Sequence, residues 1–303
     1  MTEIRNRSEI LFLYDIENAN PNGDPNDENK PRIDEETGKN IVTDVRLKRT
    51  IRNYLYENHG KELFIREIKA DDGTIQDAKT RARDFGKDKK TIRETVPKQC
   101  IDVRLFGATI PLDKDSITLT GPVQFKMGKS LHRVKLQHIK GTGAFASKTG
   151  SKQKTFREEY ILPYSLIAFC GVVNENAAKH TRLVPEDVQL LKEALWRGTQ
   201  GLISRSKFGQ MPRLLLVVNY KQPNFFIGDL DNLIRLETGE RRDEELRKPE
   251  DYHLEIGLLL DRLEAASHRI EQIEFIRDNR MQFLRNGTPV TLNSQNQFSE
   301  IAF

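Results

Sequence analysis

Residues 10–25 of the chain read ILFLYDIENANPNGDP, and residues 42–55 read VTDVRLKRTIRNYL. The first stretch is a short apolar run that ends in Asn, Gly, Asp and Pro, which predicts a mostly buried strand followed by a rigid polar loop. The second predicts a helix with Thr43 as its N-cap, because apolar residues recur at helical spacing. The apolar face of this helix consists of Leu47, Ile51, Tyr54 and Leu55.

Four basic residues surround the apolar face of this helix. They are Arg46, Lys48, Arg49 and Arg52. Like charges packed this closely repel one another unless an anion faces them. A solvated basic surface explains such a helix as well as an anion-binding surface does, so the helix alone leaves both interpretations open.

Charge is unevenly distributed along the chain. The 303 residues carry 49 Lys and Arg against 45 Asp and Glu, a net charge of only +4. Residues 116–157 contain nine basic residues and no acidic one, and residues 194–228 contain five more basic residues and no acidic one. The rest of the chain therefore has 35 basic residues against 45 acidic ones. Such segregation predicts a localised site for a polyanion, with nucleic acid as the favoured partner.

Neither a membrane nor a disulfide framework is indicated. No apolar run approaches the roughly 20 residues that span a bilayer, and the first residues, MTEIRNRSE, do not resemble a signal peptide. Cys100 and Cys170 lie far apart, without the spacing of a zinc site, which predicts buried thiols. The sequence predicts a cytoplasmic protein without a metal or cofactor.

The order of predicted elements is strand, helix, strands, helix, strand. The predicted strands are 10–16, 100–106, 116–125, 131–139, 160–173 and 214–220, and a second helix begins at Pro185. This order favours an α+β fold with a split β-α-β core, the ferredoxin-like arrangement of RNA-recognition motifs. The aromatic signature of ordinary RNA-recognition motifs is absent, so RNA binding would use loops.

Several segments are predicted to lie outside this core. Residues 60–98 are highly charged and predict an inserted, mostly helical module. Residues 140–154 have the Gly, Ser, Thr and Lys content of a mobile loop, and residues 201–212 predict a second basic loop. The last twenty residues predict a polar tail that could dock on a neighbour.

Six motifs carry a resemblance to a known family. They are NPNGDP at 20–25, KPRID at 30–34, VTDVRLKRTIR at 42–52, RLFG at 104–107, GPVQF at 121–125 and YSLIAF at 164–169. The chain resembles the backbone subunits of type I CRISPR surveillance complexes (Cascade), which belong to the RAMP superfamily, and it is most similar to the type I-B form.

The resemblance implies a hand-shaped subunit. It implies a ferredoxin-like palm built from residues 1–59 and 160–303, with a mostly helical fingers insertion at 60–115. Strands and a basic loop next to the thumb would occupy 116–159, and the thumb loop would lie at about 199–212, before the C-terminal tail. In this family many copies stack head to tail along one crRNA, present it for pairing with target DNA in antiviral defence, and contact the other Cascade subunits. The implied role is not catalytic.

Sixteen residues are predicted to bind RNA, from the resemblance and from the two acid-free segments. They are Asn20, Asn22, Thr43, Arg46, Lys48, Arg49, Arg52, Arg133, Lys140, Phe145, Lys148, Lys152, Lys154, Arg205, Lys207 and Phe208. Phe145 and Phe208 are candidates for a wedge beside a displaced base, because aromatic rings stack on any base. Anchoring of their own loops is an equal alternative.

A metal-dependent RNA endonuclease is the alternative function. Relatives in type III complexes cut RNA with an acidic residue in a loop near the first helix, and this chain has carboxylates in a comparable place. They are Asp24, Asp27, Glu28 and Asp34. Divalent-metal chemistry requires carboxylates that converge on one point, whereas Asp in a Pro-Asn-Gly-Asp-Pro turn is an ordinary turn residue.

Overall fold

The structure, a computed structural model, describes residues 4–69, 72–113, 115–146, 154–293 and 297–303; it describes the backbone but not the side chains of 143–146 and 154–156. In these residues nine strands form one sheet. They are β1 (Ser8–Ala19), β4 (Lys39–Val42), β7 (Val123–Phe125), β8 (Gly128–Arg133), β9 (Gln137–Ala146), β10 (Lys154–Val173), β11 (Met211–Tyr220), β14 (Ile270–Arg277) and β17 (Phe298–Glu300).

The central strand of this sheet is β1. The order is β17-β14-β11-β1-β10-β8-β4, while β7 and β9 also pair with β10. β1 pairs antiparallel with β10 on one side and with β11 on the other. Because a strand in this position is covered on both faces, it needs apolar residues at successive positions rather than at alternate ones. The predicted strand at 10–16 is therefore confirmed and extends from residue 8 to 19.

Seven helices lie in the described residues. They are α1 (Asp44–His59), α2 (Ala78–Arg83), α3 (Lys89–Gln99), α4 (Ile101–Phe106), α5 (Glu175–Thr181), α6 (Pro185–Glu193) and α7 (Gly257–Ala265). A π-helical turn at Ala194–Gly198 follows α6 directly. Among the described helices, none is both long enough and apolar enough to cross a membrane.

The two faces of the main sheet bury two separate cores. Ile10 and Phe12 of β1 contribute to the first core, together with Leu47, Ile51 and Leu191 of α1 and α6. The opposite face of β1 packs beneath α7 and a second sheet. That sheet has the order β12 (Arg235–Glu237), β13 (His253–Glu255), β15 (Phe283–Arg285) and β16 (Thr288–Val290). The main sheet is thus sandwiched, and α1 lies on one side of it.

Two short hairpins complete the strand inventory. The loop after β1 contains β2 (Gly23–Asp24), which pairs with β3 (Lys30–Pro31). β5 (Gly107–Pro111) pairs with β6 (Ser116–Thr120). The hairpin of β2 and β3 holds the Asn-rich loop in place before α1, because backbone pairing joins the two sides of the loop.

The inserted region has a core of its own, and one prediction within it is wrong. Residues of α2, α3, α4 and the β5–β6 hairpin surround Phe64 and Phe85 in a third apolar cluster. Residues 100–106 were predicted as a strand, yet 101–106 form α4. Ile101 and Leu105 face the first core, whereas Val103 faces the third. A helix that is buried on two sides has no polar face, so its sequence does not show a helical period.

Four further predictions differ from the structure. The strand predicted at 116–125 is divided between β6 and β7, which pair with different strands. The strand predicted at 131–139 is divided between β8 and β9. Residues 140–154 were predicted as a mobile loop, but residues 140–146 belong to β9, which pairs antiparallel with β10. The last twenty residues were predicted as a polar tail, but residues 298–300 form β17, which pairs parallel with β14 of the same sheet. Backbone pairing overrides a polar composition in both strands.

The two cysteines are buried thiols, as predicted. Burial raises the pKa of Cys100 to about 12 and that of Cys170 to about 11. Neither thiol is ionised near neutral pH, so neither is a nucleophile there.

Candidate nucleic-acid interface

The loop after β1 is fastened to the start of α1. The Oδ1 atom of Asn22 accepts hydrogen bonds from the backbone N–H of Thr43 at 2.8 Å and from its hydroxyl at 2.9 Å. Thr43 is the N-cap residue, as predicted, but its own side chain makes no capping bond. Asn22 and Thr43 were both predicted to bind RNA. Their polar groups instead bond to each other and so position the start of α1.

The same loop also meets the basic loop that follows α6. The backbone N–H of Asn20 donates to the carbonyl of Ser206 at 3.0 Å, and the ammonium of Lys207 donates to the carbonyl of Asn20. The side-chain amide of Asn20 donates to the carbonyl of Asn29 at 2.6 Å. These contacts bring two segments that lie 187 residues apart to one place beside α1.

Two cations face each other at this meeting point. Burial, together with the charge of Arg46, lowers the pKa of Lys207 to about 8. Burial also lowers the pKa of the Arg46 guanidinium, which donates to the hydroxyl of Thr50. Within the described residues neither Arg46 nor Lys207 has a carboxylate partner. Two half-buried cations without an anion are an electrostatic cost that a bound anion would remove.

Arg49 extends this cationic site along α1. Its side chain is exposed and donates to the Oδ1 atom of Asn53 at 3.1 Å, and no carboxylate in the described chain pairs with it. A cleft of about 620 Å³ opens between this face of α1 and the segment after α6. Its lining includes Thr50 and Asn53, the hydrogen-bond partners of Arg46 and Arg49. The cleft is therefore a groove that adjoins the cationic site through Thr50 and Asn53, while its own lining contains Arg197 and Glu57.

Comparison with known proteins gives the family. Residues 6–257 match the family model of CRISPR-associated protein Cas7. The chain belongs to the Cas7 family. The CRISPR-associated protein Cas7 of Haloferax volcanii is 33% identical over 308 aligned residues, which cover 91% of this chain and 88% of that protein. The predicted membership of a CRISPR-associated family is confirmed.

Solved structures share the fold of this Cas7-family chain. A chain of a CRISPR RNA-guided surveillance complex in a pre-nicking state matches with a TM-score of 0.59 and 11% identity, over 98% of this chain and 96% of that chain. A chain of a second CRISPR RNA-guided surveillance complex matches with a TM-score of 0.53 and 13% identity, over 90% of each chain. The mixed α/β architecture with one large sheet is therefore shared with such chains.

Two of the basic residues predicted to face RNA from α1 of the Cas7-family chain lie inside it. Lys48 is buried; its ammonium is 2.9 Å from a carboxylate oxygen of Asp44 and donates to the Oε1 atom of Gln124 at 3.1 Å. The guanidinium of Arg52 is 3.0 Å from a carboxylate oxygen of the fully buried Asp102. The prediction that both residues lie on an exposed basic face is wrong, because each is neutralised by a carboxylate and packed against its own chain.

Three other predicted residues are exposed but already paired. Arg133 lies 3.6 Å from Glu244, Lys140 lies 3.0 Å from Glu158, and Arg205 lies 3.4 Å from Glu159. Exposed ion pairs contribute little to stability, so an incoming phosphate can replace the carboxylate at small cost. The structure does not bring Arg133 or Lys140 into contact with Arg46.

The remaining predicted residues lie near the ends of the two basic segments. Phe208 is 65% exposed, one residue after Lys207, and could contact a ligand at the groove. Phe145 lies in β9 and Lys154 begins β10, but their side chains are not among those described. Lys148 and Lys152 lie outside the described residues.

The carboxylates of the alternative function do not converge. Asp24 pairs with Arg32, and Asp27 is 2.7 Å from the ammonium of Lys30. Glu28 accepts a hydrogen bond from the hydroxyl of Tyr160 at 2.8 Å. The Oδ1 atom of Asp34 accepts from the backbone N–H of Glu36 at 3.1 Å. In the described chain no three His, Cys, Asp or Glu side chains are grouped so that they could hold a metal ion.

Sequence reasoning missed two components of the groove in this Cas7-family chain. Asn53 orients Arg49, and its place four residues beyond Arg49 on the same helix face is a signal that the sequence contains. Ile203 lines the groove and is 72% exposed, although it is apolar. No periodicity marks Ile203, because it lies in a loop.

Proposed function

We propose that this chain is a non-catalytic, guide-RNA-binding backbone subunit of a type I-B Cascade complex. The observation that carries the proposal is the pair of cations at Arg46 and Lys207, which have no anion among the described residues and lie where three segments meet. A chain of phosphates is a ligand that neutralises several such cations at once. Membership of the Cas7 family supports the CRISPR setting of this RNA.

The arrangement of the main sheet supports a ferredoxin-like palm. Its central order is β11-β1-β10-β8, and each neighbouring pair is antiparallel. α1 connects β1 to the strands on the β8 side, and α6 lies between β10 and β11. These are the order and the connections of a split β-α-β fold. In the proposal residues 1–59 and 160–303 form the palm.

The fingers of the proposal are inserted between the two parts of the palm, and the thumb is a loop within its second part. The third apolar cluster supports an independent fingers module at 60–115, with β6 from the 116–159 region completing its core. The exposed Phe208 and Ile203 lie in the thumb loop, about 199–212. Ser206 and Lys207 of this loop contact Asn20 beside the groove. A thumb that contacts the bound RNA would need such a position.

In the proposed assembly the copies contact one another head to tail along crRNA. The guide pairs with the target DNA strand, and other Cascade subunits cap the ends. The surplus of acid outside the two basic segments suits a contact in which a negative surface of one copy meets a positive surface of the next. No cleavage step is assigned to this chain, because its loop carboxylates are engaged by Arg32, Lys30 and Tyr160.

RNA binding is tested by fluorescence anisotropy with a labelled, unstructured RNA of about 30 nucleotides. We expect Arg46→Gln with Arg49→Gln to weaken binding at least tenfold and to lower the slope of log affinity against log salt by about 1.4, since each phosphate contact to a single strand contributes about 0.7. A matched control, Lys248→Gln with Arg262→Gln, removes two exposed charges outside the groove. Equal losses in both variants, or similar binding at about 50 and 500 mM salt, would contradict the proposal.

A further inference from the structure

A second cleft, which is basic, lies beyond the C-terminal end of α1. It has a volume of about 810 Å³ and is bounded by the end of α3, the segment just after α1, the end of α5 and the first turns of α6. Arg46 lies in the first turn of α1 and Lys61 just beyond its last turn, so this cleft is about 20 Å from Arg46 along the helix axis. Among the described residues, none lines both this cleft and the groove. This cleft is therefore distinct from the groove proposed for guide RNA.

The cations at this cleft lack anions. Lys61, Lys98 and Arg182 make no side-chain hydrogen bond or ion pair to any described residue, and Lys179 donates only to the Oδ1 atom of Asn176 at 3.3 Å. The carboxylates in the lining are Glu186 and Asp187. The lining consequently has a surplus of positive charge that nothing in the described chain neutralises.

A buried ion pair fixes the floor of the cleft. Arg104 donates to both carboxylate oxygens of Asp187 at 2.7 and 2.9 Å, and it also donates to the backbone carbonyl of Pro97 at 3.1 Å. These bonds tie α4 to both α3 and α6. A bidentate pair with this geometry holds the cationic rim at fixed spacing before any ligand arrives.

Arg182 has an unusual backbone conformation for its residue type. It follows α5 with a φ of 63°, in the left-handed region that glycine or asparagine usually occupies at such a position. An arginine there costs about 1 kcal/mol relative to glycine. Gly60 ends α1 in the same conformation, so this fold does use glycine at a helix end. The arginine at this position places its charge in the lining of the cleft.

We propose that this cleft binds the phosphate backbone of a nucleic-acid strand other than the one in the groove. Lysine and arginine side chains on a preformed rim are the groups that contact phosphate without reading sequence. Among the described lining residues none is aromatic, so the cleft has no platform for stacking bases. A protein partner would need a larger apolar or aromatic anchor than Pro97, Val184 and Leu190 provide.

The test uses a fluorescein-labelled oligothymidine of about 30 residues, added to the full chain assembled on an unlabelled guide RNA, so that the groove is occupied. The variant combines Lys98→Gln, Lys179→Gln and Arg182→Asn. Asparagine tolerates the left-handed conformation, so the fold is expected to persist. We expect affinity for the oligothymidine to fall at least tenfold and the salt slope to fall by about 2, or about 0.7 for each lost contact.

Two controls locate the effect. Lys221→Gln, Lys248→Gln and Arg262→Gln together remove the same charge from exposed positions outside the lining, and we expect this variant to bind like the parent. Glu186→Gln removes a carboxylate from the lining and is expected to tighten binding. In a separate measurement, Arg46→Gln with Arg49→Gln should lose guide RNA but retain the oligothymidine at the cleft, which separates failure of this site from failure of the groove.

Oligothymidine binding by the cleft variant with the affinity and salt slope of the parent would overturn the proposal. If that variant instead lost self-association in sedimentation while its binding of oligothymidine stayed unchanged, the cleft would hold an acidic surface of a second copy, and the proposal would also fail.

Discussion

At the scale of single residues, the four cations of α1 divide according to whether a carboxylate reaches them. Lys48 has Asp44 four residues earlier on the same helix, a spacing that the sequence contains. Arg52 has Asp102, a partner 50 residues away that no local pattern reveals. Arg46 and Arg49 have neither, and their hydrogen-bond partners, Thr50 and Asn53, line the groove. Unpaired charge, rather than charge density, therefore identifies the candidate interface.

Substitutions at the adjacent positions 48 and 49 of α1 should affect different properties, stability for the first and RNA binding for the second. Lys48→Gln is expected to lower the free energy of unfolding by about 1 to 3 kcal/mol, because it leaves the carboxylate of Asp44 without its cation. Arg49→Gln is expected to leave the melting temperature unchanged and to weaken RNA binding. Denaturant titration and anisotropy on both variants check this. A stable Lys48→Gln variant that fails to bind RNA would return Lys48 to the interface.

Lys207 should make RNA binding depend on pH. Its pKa is lowered from 10.5 to about 8, so the free chain loses this charge as the pH rises through about 8. Bound phosphate favours the charged form, and affinity should therefore be constant below pH 8 and fall above it. The stability of the free chain should change in the opposite direction and rise between pH 8 and 10.5, because the unfolded chain then binds more protons.

Anisotropy titrations at pH 7 and pH 9.5 at fixed ionic strength measure the first of these effects. Lys207→Arg is the matched control, since arginine stays charged at both values, and it should bind RNA with nearly equal affinity at both. The same loss of affinity in the parent and in Lys207→Arg would assign the pH dependence to another group.

At the scale of elements, the sequence was sufficient where local pattern and burial agree. The strands at β1, β10 and β11 and the helix α1 follow from short apolar runs, turn residues and helical spacing. It was insufficient for α4, which is buried on two sides, and for residues 140–146, whose strand depends on pairing with β10. Nothing local could show that Asn20 would contact Lys207, since loops are brought together only by the completed sheet.

Asp102 should be essential to the junction between α1 and the inserted module. The carboxylate accepts from the backbone N–H of Phe64 at 2.8 Å and of Ile65 at 3.0 Å, besides Arg52. Asp102→Asn is expected to cost about 3 kcal/mol of stability, since it leaves a buried guanidinium unpaired. Urea unfolding measures this loss. Asp115→Asn, which breaks an exposed pair with Lys89, should change stability little, and equal effects would contradict the assignment.

At the scale of the whole molecule, different layers cover the two faces of the main sheet. α1 and α6 cover one face. The groove adjoins α1, and the second cleft adjoins the first turns of α6. α7 and the second sheet cover the other face, where Arg285 is paired with Asp261 and Glu264. A molecule with unpaired cations beside one layer can bind a polyanion there while its remaining surfaces contact protein.

The proposed head-to-tail contact predicts how complexes grow with the length of the guide. A heterologous contact that does not close into a ring adds copies without a fixed limit, so the length of the RNA sets their number. Native mass spectrometry on complexes with guides of about 20, 40 and 60 nucleotides should give protein-to-RNA ratios that rise in proportion to length. Arg46→Gln with Arg49→Gln should lower occupancy at every length, because each copy binds through the same groove. A ratio that stayed constant as the guide lengthened would mean a closed assembly, and the backbone role would then be wrong.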